Sequence, residues 1–141
     1  MMKLFVDTWG WVNIFNRRET HHQVVSQYYR EVRAARGEIY TSDYVLDETI
    51  TLLFRRLPTP LAIKAIDSIQ TAVNQGYLTV AWVTPERFER TIALRSMFQD
   101  KPLISFTDLS SMAIMQEFSL THALTGDAHF MHVGLGFQTV P

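Results

Sequence analysis

Lys3-Leu4-Phe5-Val6-Asp7-Thr8 opens the sequence with a short apolar run that stops at an acid. Such a run reads as a brief buried strand. Similar short segments follow at Ile39 to Thr41, Leu78 to Val83, Ala123 to Thr125 and Phe137 to Val140. Helical spacing fills the intervals between them. Trp9 to Phe15 reads as a short helix. Thr20 is placed to cap a longer one running to about Arg36, with Val24, Val25, Tyr28, Tyr29, Val32 and Ala35 as its apolar positions and Gly37 as its stop. Ser42 is placed to cap a helix carrying Val45, Leu46, Ile50, Leu53 and Phe54, which Pro58 ends. Thr59-Pro60 and Thr84-Pro85 each combine a cap with proline at the first helical position. The helices they open carry Ile63, Ile66, Ile69 and Val73, with Gly76 as terminator, and Phe88, Ile92 and Phe98. Thr107 is placed to cap a helix from Asp108 to about Phe118, with Leu109, Met112, Ala113 and Met115 as its apolar face. A brief helix precedes the last strand. Strands alternating with helices predict an α/β domain with a parallel sheet covered on both faces.

The 141 residues suit one domain, 1–141. A hydrophobic content of 47% is that of a globular chain. The absence of cysteine excludes disulfides, thiolate zinc sites and a cysteine nucleophile. No leader-like apolar region and no run long enough to span a membrane is visible, so a soluble, cytoplasmic protein is expected. The net charge of −1 argues against a simple electrostatic binder of nucleic acid. Ten of the thirteen basic residues are arginine, which suits bidentate phosphate contacts as well as solvated helix faces.

In open parallel sheets, ligands bind beyond the carboxyl ends of the strands. Asp7 ends the first strand, and Asp127 follows the Ala123–Thr125 strand. Asp108 sits in the first turn of the helix leading into that strand, and Glu48 lies in the helix after the second strand. Singly, each has a plain structural reading. Asp7 could cap a helix, Asp108 would be favoured by a helix dipole, Asp127 could serve a turn, and Glu48 has an acidic neighbour in Asp47. Together they would repel strongly at one edge, and a hard divalent cation is the usual relief. An all-carboxylate set suits Mg²⁺ or Mn²⁺, which can acidify a water and stabilise a leaving oxygen.

Phe5-Val6-Asp7-Thr8, Leu46-Asp47-Glu48, Ser105-Phe106-Thr107-Asp108 and Leu124-Thr125-Gly126-Asp127-Ala128-His129-Phe130 resemble, in order and spacing, the successive motifs of PIN domains. The resemblance covers essentially the whole chain. Its size and closing segment are most similar to the VapC toxin ribonucleases. The resemblance implies a three-layer α/β/α sandwich around a mainly parallel, short-stranded sheet. It implies Mg²⁺- or Mn²⁺-dependent endoribonuclease activity in which an activated water leaves a 5′-phosphate and a 3′-hydroxyl. Asp7, Glu48, Asp108 and Asp127 would form the catalytic and metal-holding cluster, with Glu48 favoured over Asp47 by position. Thr8 and Thr107 would orient ligands or water. The toxin reading further implies a small antitoxin, with an Arg or Lys inserted into the acidic cleft, and a homodimer.

Trp9 departs from the common pattern, which has a small or polar residue there. Its indole could stack on a base or sit in the core beside Trp11. Arg17, Arg18, Arg55 and Arg56 are candidates for RNA-backbone contacts, and His129 is a weaker one. His21-His22 does not make a zinc site. A non-toxin RNA-processing nuclease and an inactive RNA- or protein-binding module are the alternatives within the family. A receiver-like phosphoacceptor would need adjacent acids after the first strand, a phosphoacceptor Asp after the third and a late lysine, whereas Thr8-Trp9 follow Asp7 and the last lysine, Lys101, falls in a loop. A dinucleotide-binding Gly-x-Gly-x-x-Gly and a Gly-x-Ser-x-Gly elbow are also absent.

Overall fold

A computed structural model describes residues 2–141. Five short strands, β1 (Lys3–Val6), β2 (Glu38–Ser42), β3 (Thr79–Ala81), β4 (His122–Leu124) and β5 (Gln138–Val140), form one sheet in the order β3-β2-β1-β4-β5. Every pairing is parallel. Seven helices connect them: α1 (Thr8–Phe15), α2 (His22–Ala34), α3 (Asp43–Arg56), α4 (Thr59–Asn74), α5 (Pro85–Met97), α6 (Phe106–Glu117) and α7 (His129–His132). The connections β1 to β2 and β2 to β3 step one way along the sheet. The connections β3 to β4 and β4 to β5 step the other way. Right-handed crossovers therefore put α1–α4 on one face and α5–α7 on the other. The reversal falls between β1 and β4, and there the carboxyl ends of adjacent strands open a crevice.

Leu4, Phe5 and Val6 are fully buried beneath both layers, which is why β1 does not alternate. α6 is buried all round from Leu109 to Met115, Ser110 and Ser111 included. The two serines donate back to the Thr107 carbonyl, so no hydroxyl is stranded. Trp11 is fully buried and its indole N–H donates to Thr41 Oγ1, which donates in turn to the Val6 carbonyl. This chain of bonds ties α1, β2 and β1 together just behind the crevice.

Several expected helix signals are carried by other residues. Thr20 does not cap α2. His21 holds that position without a side-chain bond, and Asn16 organises the preceding turn by accepting from the Arg18 N–H. Arg36, at φ 58, takes the left-handed position after α2. Gly37 is instead required by space, since a Cβ there would lie 2.7 Å from Val32 Cγ1. Pro58, not Thr59, is the cap position of α4. Ser105, not Thr107, caps α6 by accepting from the Asp108 N–H. Ser42 and Thr84 cap α3 and α5 as expected.

The buried stripes also differ. α4 buries Ala62, Ala65, Ile69 and Ala72, while Ile63 and Val73 are exposed. α5 buries Thr91 and Leu94 and exposes Phe88 and Ile92. Ile50 and Phe54 of α3 and Val24 of α2 are exposed too. Close packing selects small side chains at these helix contacts and leaves larger apolar ones outside. No described helix is long and apolar enough to cross a membrane.

Gly10 marks the closest approach of α1 to the sheet. A Cβ there would lie 2.6 Å from the Leu124 carbonyl oxygen and 3.0 Å from Val6 Cγ1. A backbone oxygen cannot yield as a side chain can. Gly10→Ala is expected to lower stability by about 1–3 kcal/mol through overpacking. Chemical denaturation would show this as a lower midpoint with an unchanged slope. A midpoint at or above that of the parent would contradict the close approach.

Candidate active site

The crevice between β1 and β4 collects the acids. Asp7 follows β1 and occupies the cap position of α1, yet its side chain makes no cap bond. It is only 6% exposed and accepts from Thr125 Oγ1 at 2.9 Å. Thr125 Oγ1 itself accepts from the Asp127 N–H at 3.1 Å. A single buried hydroxyl thus fixes the first acid and the loop of the fourth. Thr125 was not among the residues singled out in the sequence. A threonine two residues before an acid at the end of a buried strand was the available signal.

Asp127 Oδ1 accepts from the His129 N–H at 2.9 Å, which closes a tight turn into α7. The His129 ring then comes back over the acids. Carboxylate oxygens of Asp108 and Asp127 and a ring nitrogen of His129 all lie within 4.8 Å of one another. His129 Nδ1 sits 3.1 Å from Asp127 Oδ1, outside hydrogen-bonding geometry, and is buried without a partner. Glu48 is exposed on α3, outside the close group of Asp108, Asp127 and His129, and its charge raises Asp7 and Asp108.

The electrostatics follow from this crowding. Burial pushes Asp7 up to about 6, against the bond from Thr125, and Glu48 and Asp127 add to the rise. Burial also raises Asp108, to about 8, helped by the neighbouring Asp127 carboxyl and by the charges of Asp7 and Glu48. Asp7 and Asp108 therefore keep their protons to higher pH than such carboxyls normally do. Two carboxylates, an orphaned imidazole nitrogen and two flanking acids form a donor set that fits a divalent cation.

The remaining candidates are distributed as follows. Thr8 is buried, and its hydroxyl donates to the Val45 carbonyl, joining α1 to α3. Thr107 is half-buried, and its carbonyl receives Ser110 and Ser111. Trp9 lies against Gly126, where a Cβ would be 2.7 Å from the indole, and packs on His21 at 5.5 Å between ring centres. It thereby forms one wall of the crevice, and Trp11 takes the core position. Asp47 is exposed, and only its carbonyl is engaged, by Thr51. His22 Nδ1 lies 2.7 Å from the Asn13 carbonyl, where it holds α2 to α1. Arg17, Arg18 and Arg56 border a groove of about 780 Å³ between the end of α1, α2 and the α3–α4 corner, and Arg55 does not.

A parallel five-stranded sheet with acids at its switch point defines a class. The PIN domain pattern matches residues 4–135, and the chain belongs to the PIN domain family. Solved structures that resemble it include a VapC toxin and VapBC complexes. VapC20 of Mycobacterium tuberculosis, described as a Sarcin-Ricin loop cleaving toxin, superposes with a TM-score of 0.75 at 28% identity, over 93% of this chain and 95% of that one. VapBC2 of Rickettsia felis, bound to a DNA fragment from its promoter, gives 0.71 at 15% identity, over 99% and 98%. FitAcB of Neisseria gonorrhoeae gives 0.70 at 12% identity, over 98% and 96%. The last two establish likeness of fold alone. No curated protein matches the chain in sequence.

Proposed function

We propose that this chain is a divalent-metal-dependent endoribonuclease and the toxin of a toxin–antitoxin pair. The carrying observation is the convergence of Asp108, Asp127 and His129 beside buried Asp7, at the edge where PIN domains carry their acids. Asp108 and Asp127 hold the cation, and Asp7 and Glu48 complete its charge balance. Bound Mg²⁺ or Mn²⁺ supplies Lewis acidity toward a phosphodiester and an acidified water. Thr125 keeps Asp7 and the Asp127 loop in register. Trp9 walls the crevice against bulk solvent and offers an aromatic face to a neighbouring base. Thr8 and Thr107 act by fixing the α1–α3 contact and the start of α6, since the Thr8 hydroxyl and the Thr107 carbonyl are engaged there. Arg17, Arg18, Arg55 and Arg56 are the proposed phosphate contacts.

Cleavage of a mixed RNA pool by purified protein is expected with Mn²⁺ or Mg²⁺ and is expected to stop in EDTA. A folded protein that neither cuts RNA nor binds Mn²⁺ in a titration would overturn the reading in favour of an inactive binding module. Because the 28%-identical neighbour is described as cutting the Sarcin-Ricin loop, ribosomal RNA is the first defined substrate to test.

The partner proposals rest on surface chemistry and on the VapBC neighbours. An antitoxin Arg or Lys entering the acidic crevice would satisfy the same carboxylates as the cation. A second copy of the chain would cover the apolar hollow of Leu46, Ile50, Ile66, Val73 and Trp82 between α3, α4 and β3. Trp82 is 63% exposed there, and side chains of that kind are rarely left in contiguous patches on monomers.

A further inference from the structure

The basic groove gathers more cations than the linear sequence announces. Arg17 and Arg18 come from the turn after α1, Arg30 from α2, Arg56 from the end of α3 and Lys64 from α4. Glu19 is the one acid bonded to any of them, through Arg56 at 3.3 Å. Among the described residues, Arg17, Arg18, Arg30 and Lys64 have no carboxylate within 4.0 Å. Three arginines on the other face of the sheet are structurally engaged, whereas Arg36 and Arg55 stand apart from the groove and from one another. Arg87 and Arg90 clamp Glu117, and Arg95 donates to the carbonyls of Phe98, Lys101 and Ile104. In a chain of net charge −1, four unpaired cations around one groove are a local excess that attracts a polyanion.

We infer that this groove is a second RNA-binding surface, a phosphate-backbone track for the single-stranded segment flanking the cut, with Arg30 and Lys64 as its unassigned contacts. The inference rests on the ribonuclease reading. The two sites are continuous through α1, which begins beside Asp7 and ends with Ile14 and Phe15 in the groove wall. Eight helical residues span about 12 Å, so the track lies close enough to receive the strand leaving the acids. Phe15 and Tyr29 also line the groove, and cations interleaved with aromatics are the usual surface for single-stranded nucleic acid.

The test uses full-length protein in EDTA, so that binding is read without cleavage. A fluorescently labelled single-stranded RNA is titrated by anisotropy over a range of salt. The doubly substituted Arg30→Ala, Lys64→Ala protein is expected to bind about tenfold more weakly. Its log–log salt slope should be shallower by about 1.4, from two lost phosphate contacts on a single strand. Both side chains are solvent-facing, so the thermal unfolding curve should keep its shape. Arg36→Gln, outside the groove, is the control and should leave affinity unchanged. Wild-type protein that cuts RNA with metal while the double variant keeps parental affinity and slope would overturn the track and leave the nuclease standing. Wild-type protein that neither binds nor cuts RNA would remove both. Competition by polyglutamate as effective as unlabelled RNA at matched charge would assign the groove to an acidic protein segment, and that too overturns the inference.

Discussion

Asp108→Asn is expected to abolish RNA cleavage, with a loss of about a thousandfold or more, while the fold survives. The loss follows from position. Asp108 lies within 4.8 Å of the Asp127 carboxylate and the His129 ring, so an amide removes one of the closest charged oxygens a cation would meet. Several kcal/mol of charge stabilisation translate into a rate factor of that size. Survival of the fold follows from the backbone, because the bond to Ser105 that caps α6 uses the Asp108 N–H and not its carboxyl. The variant should therefore melt no lower than the parent near pH 8 without metal, since a neutral side chain relieves repulsion among the acids. Asp7→Asn should be equally inactive and stay folded, because its amide oxygen can still accept from the Thr125 hydroxyl and the buried charge is gone. Gel-based cleavage and calorimetry check each. Wild-type rates in Asp108→Asn would remove Asp108 from the site.

The second large effect is a pH-dependent stability that metal reverses. Asp7 and Asp108 both have pKa values in the fold above the ordinary 3.8. The folded chain thus binds their protons more tightly than the unfolded chain does, and stability must fall as pH rises. Asp7 acts between about 4 and 6, and Asp108 acts from about 4 up to about 8. For Asp7 a rise of about two units corresponds to roughly 3 kcal/mol at 1.36 kcal/mol per unit. Metal-free protein should accordingly melt higher at pH 5.5 than at pH 8.5. Added Mn²⁺ should raise the melting temperature most at the higher pH, where it has fewer protons to displace. Asp108→Asn should flatten the upper part of the metal-free profile. A profile that is level from pH 5 to 8.5 in wild type and variant alike would contradict the crowding of the acids.

The helix exposures connect to the proposed assembly. Ile50, Ile63, Val73 and Phe54 obey helical spacing but face solvent, whereas Ala62, Ala65 and Thr49 take the buried positions. A helix packed closely against two neighbours buries its small side chains, and the larger ones remain for a further partner. Periodicity reports that a face is apolar and leaves open what covers it.

The alternation of brief apolar runs with helical segments was legible from residue 3 to residue 140, because strand and helix periods are local properties. The order of the four acids was equally legible, since each falls at a strand end or in the first half of a helix. Caps were less so. Thr20, Thr59 and Thr107 each had a suitable hydroxyl, but His21, Pro58 and Ser105 took the positions, because chain entry angles depend on what each helix packs against. Thr125 escaped for the same reason, and His129 was legible only as a weaker RNA contact. The role of Thr125 is set by a turn that brings residues 118 apart in sequence, Asp7 and Thr125, to within 2.9 Å. Arg17, Arg18 and Arg56 were legible as candidates, but the basic groove is tertiary, as its five cations come from four separate segments and meet only when α3–α4 folds against α1 and α2. The sequence by itself determined the parallel α/β order and the carboxylate set, through local patterning. Only the tertiary structure decided which acid is most crowded, which hydroxyl steadies the site and which cations face one groove, because distance and burial arise from contacts between segments far apart in the chain.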